Sequence, residues 1–219
     1  MINSKQFILN LGAGCVDTSR YARGWFTVHV DGCYRPDGAA ISAGEVEKDH
    51  VHAINRACSD NPVNTDYPKQ VLCYSDIFDF VERYPYKFDY IYAERIFEHM
   101  EYVGGDIGRL LEGINRISED DAELEIVVPN GRKLARMLLD YDSPVSTRIE
   151  SDNHKLIINT EFCNVKADPH GSVWTHQLAK EYINSEGTWR LDTVSDLDNF
   201  MGRDIYMKLI CKKTNGVKV

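Results

Sequence analysis

At 219 residues the chain is long enough to bury a sizeable core in a single domain. Lys plus Arg number 25 against 34 Asp plus Glu, a net charge of −9, and the basic residues are dispersed apart from Lys212-Lys213. That balance argues against nucleic acid as a partner, which calls for a basic patch. No window approaches the ~20 apolar residues that span a bilayer, so no membrane association is expected. The first strand is expected within a few residues of Met1, which leaves no room for a signal peptide. Six scattered cysteines (Cys15, Cys33, Cys58, Cys73, Cys163 and Cys211) lack paired metal spacing and read as free thiols in a reducing, cytoplasmic compartment.

Phe7-Ile-Leu-Asn-Leu11 is an apolar run of the kind a buried parallel strand needs. It meets Gly12-Ala13-Gly14, a turn that lets the backbone bend sharply and lets a ligand approach closely. A helix is expected from about Cys15, and its first turn would offer free N–H groups to a polar ligand. The second apolar run, Phe26-Thr-Val-His-Val30, ends in Asp31. An acid in that position can accept hydrogen bonds from ribose hydroxyls; alternatively, Asp31-Gly32 begins a turn.

Residues 33–68 form a long connection, with Glu47–Cys58 as its candidate crossover helix. Lys69–Cys73 reads as a third strand and Tyr74-Ser75-Asp76 leads into a helix over 77–84. Asp76 is either the acceptor for an exocyclic amine, with Ile77 and Phe78 offering a purine an apolar face, or the N-cap of that helix; one residue can do both. Phe88–Ala93 reads as a fourth strand, followed by Glu94-Arg-Ile-Phe-Glu98-His99-Met100 on an apparent helix. Ile107, Leu110, Leu111, Ile114 and Ile117 recur at helical spacing, and Ala122–Asn130 is the fifth strand.

The order Asn-Leu-Gly-Ala-Gly, strand-ending Asp31, Ser75-Asp76, Phe88-Asp-Tyr-Ile with Glu98-His99, and Ile-Val-Val-Pro-Asn130 resembles the class I S-adenosylmethionine-dependent methyltransferases over residues 6–130. It is most similar to the small-molecule subgroup with Glu-His after strand four. The resemblance implies an α/β fold with a doubly wound, mostly parallel seven-stranded sheet (Rossmann-like) and an antiparallel last strand. It also implies S-adenosyl-L-methionine as cofactor. Gly12, Ala13 and Gly14 would pass its methionine part, with Asn10 beside them; Asp31 and Gly32 would hold the ribose; Asp76 and Ile77 would meet the adenine; Ala93 and Glu94 would border the sulfonium. The chain departs from the family pattern in having Asn10 where an acid is common, Val16 where a third glycine is common, and Ser118-Glu-Asp-Asp121 where a Lys-Pro-Gly-Gly turn precedes strand five. Asparagine still offers an ammonium its carbonyl, without charge.

Beyond strand five, 132–140 reads as a helix, 155–163 as a strand or hairpin insertion, 176–185 as a helix closed by Gly187, and 189–194 with 204–211 as the last two strands. All of 1–219 is taken as one domain. Many relatives carry helices before strand one that cover the cofactor, and none is expected here. The lid is therefore assigned to 131–175, with 33–68 or a second subunit of a homodimer as alternatives. Asn130, Arg132, His154, His170, Trp174 and His176 are candidate acceptor contacts; each could equally be a surface polar residue, or in the case of Trp174 a core-edge aromatic.

Methyl transfer to a hydroxyl or amine needs a base near neutral pKa, for which His99, His170 and His176 are the catalytic candidates. On a helix, His99 and its neighbour Glu98 would not face each other. No metal is expected, because His154, His170 and His176 lack a tight ligand spacing. The expected function is a methyltransferase acting on a small-molecule or glycan acceptor. A nucleotide or nucleic-acid modifier and a non-catalytic binding or scaffold protein are the alternatives. Against the former stands Glu94-Arg-Ile-Phe97, where many amino-methylating DNA enzymes carry Asn-Pro-Pro-Tyr.

Overall fold

The computed structural model describes residues 7–12, 26–31, 69–74, 76–101, 104–141, 170–185, 187–198 and 205–214. Within them the apolar runs become strands β1 (Phe7–Leu11), β2 (Phe26–Asp31), β3 (Lys69–Tyr74), β4 (Phe88–Glu94) and β5 (Ser118–Pro129). These five pair in parallel, and β6 (Trp189–Leu197) with β7 (Tyr206–Lys213) extends the sheet beyond β5. The order is β3-β2-β1-β4-β5-β7-β6. Strand β7 is antiparallel to both its neighbours. The sheet therefore presents the carboxyl ends of β1 to β6 along one edge. The direction of strand order reverses between β1 and β4, which is where ligands enter doubly wound sheets.

Both faces of this sheet are covered, as a parallel sheet requires. Ile8, Leu9, Asn10 and Leu11 are all buried, although successive side chains point to opposite faces. Helix α1 (Ile77–Arg83) and helix α2 (Asp106–Arg116) follow β3 and β4. Helix α2 buries Ile107, Leu110, Leu111 and Ile114 along one stripe. Helix α3 (Gly131–Tyr141) follows β5, and helix α4 (His176–Ser185) precedes β6. Gly187, at φ +69°, lies just beyond α4 and donates its N–H to the Asn184 carbonyl at 3.4 Å. The core centres on β1, β4 and β5 and includes Trp174 and Trp189, each 1% exposed. The indole of Trp189 donates to the Leu111 carbonyl at 3.2 Å, which ties the last hairpin to α2.

Three expectations need correction. Ser118–Asp121 is strand, not turn: a single residue, Ile117, separates α2 from β5. Phe88 donates its N–H to the Ile117 carbonyl at 2.8 Å, and Ser118 pairs with Phe88. Lys213 also donates to the Ser118 carbonyl at 2.8 Å. Glu119, Asp120 and Asp121 keep their side chains in solvent, while Ser118 is buried and its hydroxyl donates to the Ile114 carbonyl. Strand β6 likewise runs on to Leu197, carried by β7 through a register shift between Leu191 and Thr193. Glu98 and His99 lie on one 3-10 turn, Phe97–His99, rather than an α-helix. The expected helix after Gly14, the crossover at 47–58, the insertion at 155–163 and His154 lie outside the described residues, as does most of the proposed lid.

Candidate functional site

The site begins at the turn after β1. Gly12 has φ +69°, where only glycine is at ease, and its N–H donates to the Val30 carbonyl at 2.8 Å. A Cβ placed on Gly12 would lie 1.9 Å from Ile96 Cδ1. The chain leaving β4 thus closes directly over the end of β1. Arg95, between Glu94 and Ile96, takes φ 58°, an uncommon value for a residue with a side chain. Its N–H donates across the β5 edge to the Val127 carbonyl at 2.8 Å, and its guanidinium lies 6.0 Å from the centre of the Tyr206 ring. Backbone strain of this kind is held only where surrounding contacts over-determine it.

The other expected cofactor residues fall along the same edge. Asn10 is buried at 2% exposure, within β1. Asp31 ends β2, paired with Tyr74 at the end of β3; the Asp31 side chain, Ala13, Gly14 and Gly32 lie outside the described residues. Asp76 caps α1, its Oδ1 accepting from the N–H groups of Phe78 at 2.9 Å and Asp79 at 3.2 Å. Ile77 is half-buried against the core, as is Phe78, whose ring lies 4.7 Å from the Arg109 guanidinium. One face of the expected purine platform at Phe78 is therefore taken by Arg109. Ala93 is fully buried, and Glu94 is half-buried and accepts a hydrogen bond from the Tyr92 hydroxyl.

Of the three candidate histidines, two meet and one stands apart. The His99 and His170 rings lie edge to face, with centroids 4.8 Å apart. They meet because residues 170–174 are stapled to the turn after β4. The N–H groups of Gly171 and Ser172 both donate to the Glu98 carbonyl, at 2.8 and 3.0 Å. Ser172 Oγ donates to the Phe97 carbonyl at 3.0 Å and accepts from the Trp174 indole at 2.9 Å. Trp174 then sits edge to face with Phe97 and Tyr182. Its burial makes it core rather than an acceptor contact.

His176 belongs to a second cluster at the ends of β5 and β6. Asn130, buried at the end of β5, caps α3 through Oδ1, which accepts from the Arg132 and Lys133 N–H groups. Its amide donates to Asp196 at 2.9 Å. His176 Nε2 lies 3.2 Å and Lys133 Nζ 3.3 Å from the same carboxylate. Burial raises the Asp196 pKa, but hydrogen bonds from Asn130, His176 and Lys133 outweigh it and hold the carboxyl below its usual range. These residues, with Arg132, Arg136, Thr175 and Gln177, line a cavity of about 540 Å³. Of this pocket, sequence reasoning named Asn130, Arg132 and His176 and missed Asp196, which reads as one more polar residue on an edge strand.

A glycine turn closed against a residue that follows β4, at the point where strand order reverses, belongs to a doubly wound, Rossmann-like sheet, the fold shared by the solved S-adenosylmethionine-dependent methyltransferases to which this chain is similar. No family model matches the chain, and no curated protein matches it in sequence. Solved structures do. It is similar to 1,6-didemethyltoxoflavin-N1-methyltransferase from Burkholderia thailandensis, solved with 1,6-didemethyltoxoflavin and S-adenosylhomocysteine. There the TM-score is 0.57 at 12% identity, over 96% of this chain and 72% of that one. An S-adenosylmethionine-dependent methyltransferase from Methanosarcina mazei matches with TM-score 0.53 at 11% identity, over 97% and 94%. The pyocyanin biosynthetic protein PhzM matches with TM-score 0.53 at 12% identity over 98% of this chain, which spans about half (52%) of that protein. Among the described residues no helix is long and apolar enough to cross a membrane.

Proposed function

We propose that this chain is an S-adenosyl-L-methionine-dependent methyltransferase acting on a small-molecule or glycan acceptor. The observation that carries the reading is the Gly12 turn: a bare Cα at φ +69°, closed by Ile96, at the edge where Asp31 ends β2 and Asp76 opens α1. These residues fit the cofactor, since a tight turn at the end of β1 and two carboxylates at the ends of neighbouring elements lie along the edge where doubly wound sheets bind nucleosides. Gly12, with Ala13 and Gly14, would pass its methionine part, Asn10 would offer the ammonium a carbonyl, Asp31 with Gly32 would hold the ribose, and Asp76 and Ile77 would meet the adenine. Ala93 and Glu94 would border its sulfonium end. The cofactor supplies an electrophilic methyl group.

What remains for the protein is alignment, exclusion of water and removal of the acceptor's proton. His99 and His170, held together beside the end of β4, are the pair we assign to that proton; His176, hydrogen-bonded to Asp196, is assigned to acceptor binding instead. The cavity between α3, α4 and β6 has the volume of a small-molecule pocket. Asn130 lies at the end of β5, two strands from β1, or roughly 10 Å at ordinary strand spacing. Lid formation by 131–175 in a single cytoplasmic domain, or by a homodimer partner, completes the proposal.

Transfer of labelled methyl groups from S-adenosylmethionine into fractionated cell extract tests this. Label in the small-molecule or glycan fraction is expected. Label in nucleic acid would replace this reading with that of a nucleic-acid modifier, and S-adenosylhomocysteine binding without transfer to any fraction would favour a non-catalytic protein.

A further inference from the structure

We propose that Glu98, His99 and His170 form a binding site for a divalent transition-metal ion, zinc being the reference case. One ligand atom from each residue lies within 4.8 Å of the other two. His99 Nε2 is 3.9 Å from Glu98 Oε1. Zinc–ligand bonds of about 2.0–2.2 Å at tetrahedral angles put donors roughly 3.4 Å apart, so small side-chain rotations close the set. Two imidazoles and one carboxylate favour zinc, cobalt, iron or nickel over magnesium or calcium, which take oxygen donors. Three protein ligands are also the set of catalytic zinc sites, which keep a fourth position open.

The frame is rigid where a metal site needs rigidity. The Glu98 carbonyl receives two N–H groups, from Gly171 and Ser172. A Cβ on Gly171 would lie 3.0 Å from the carbonyl oxygens of His99 and Met100. Glycine at 171 therefore lets the His170 backbone approach the turn that carries the other two ligands. Glu98 is 1% exposed, and a buried carboxylate is placed where a cation can offset its desolvation. His99 and His170 are half-buried, leaving a side open to a water or an oxygen of the acceptor. The spacing between His99 and His170 in sequence hides the set, and the expectation of no metal weighed His154, His170 and His176 without His99.

Ion binding can hold whether or not methyl transfer does, but it replaces the role proposed above for His99 and His170: as ligands they would not be free bases, and a metal-bound water would take the acceptor's proton in their place. The test is calorimetric titration of tag-free, chelator-stripped full-length protein with zinc chloride, with cobalt absorption spectra alongside. One equivalent bound at micromolar or tighter affinity is expected, weakened tenfold or more in Glu98→Gln and His170→Ala and unchanged in His176→Ala. The cobalt complex should show nitrogen and oxygen donors without a sulfur charge-transfer band, a result that stands even if a variant fails to fold. No stoichiometric binding, a sulfur band from cysteine ligation, or full affinity in folded Glu98→Gln would overturn the proposal.

Discussion

Gly12 and Ile96 meet so closely that the first cannot carry a side chain: the missing Cβ would lie 1.9 Å from Ile96 Cδ1 and 2.3 Å from Cγ1. Gly12→Ala therefore brings both a left-handed alanine and an overpacked contact, together about 2–4 kcal/mol of lost stability. Ile96→Ala in the same chain should recover the overpacking part only. Urea unfolding of the two single variants and the double variant measures that coupling. Additive losses would show that the two residues do not meet.

Asp76 has a structural task that is visible and a ligand task that is proposed, and two substitutions separate them. Asp76→Ala removes the cap of α1 and should cost about 1 kcal/mol, whereas Asp76→Ser keeps a capping oxygen and most of that stability. Both should weaken S-adenosylhomocysteine binding if the carboxylate meets the adenine amine. Full affinity in Asp76→Ser would reduce Asp76 to a cap.

Trp174 is core, and its loss should be felt as core. Trp174→Ala is expected to cost about 3–5 kcal/mol, because the indole packs against Phe97 and Tyr182 and holds Ser172. Thermal unfolding checks it. A near-neutral substitution would return Trp174 to the acceptor side.

Asp196 predicts an acid-side loss of stability. Its folded pKa lies below the ordinary 3.8, so its contribution is fully present above the unfolded value and disappears as pH falls through the folded one. The wild type should therefore lose more stability than Asp196→Asn between about pH 5 and pH 2. The carboxylate is 40% exposed, so solvent screening keeps the difference small. Parallel acid-side curves would contradict the assignment.

The strands that carry the site were legible because their apolar runs end in punctuation: Leu11 before Gly12, Val30 before Asp31, Val128 before Pro129. Legibility failed where pairing, not pattern, makes the strand. Ser118 joins β5 through its pairing with Phe88, and the polar stretch Thr193–Asp196 becomes strand because β7 pairs with it at the sheet edge, where one exposed side places no apolar demand on its side chains. Of the proposed cofactor edge, the placement of Gly12, Asp31 and Asp76 at element ends was readable from the same punctuation. The meeting of Glu98 and His99 with His170 was not, because it depends on a staple between distant segments.

The central claim is a nucleoside-binding edge running from Gly12 to Asp31 and Asp76. Calorimetric titration with S-adenosylhomocysteine, wild type against Asp31→Ala, tests it most directly. Micromolar binding that falls at least tenfold in the folded variant is the predicted result. Absence of binding by the folded wild-type protein, or equal binding in both, would contradict it.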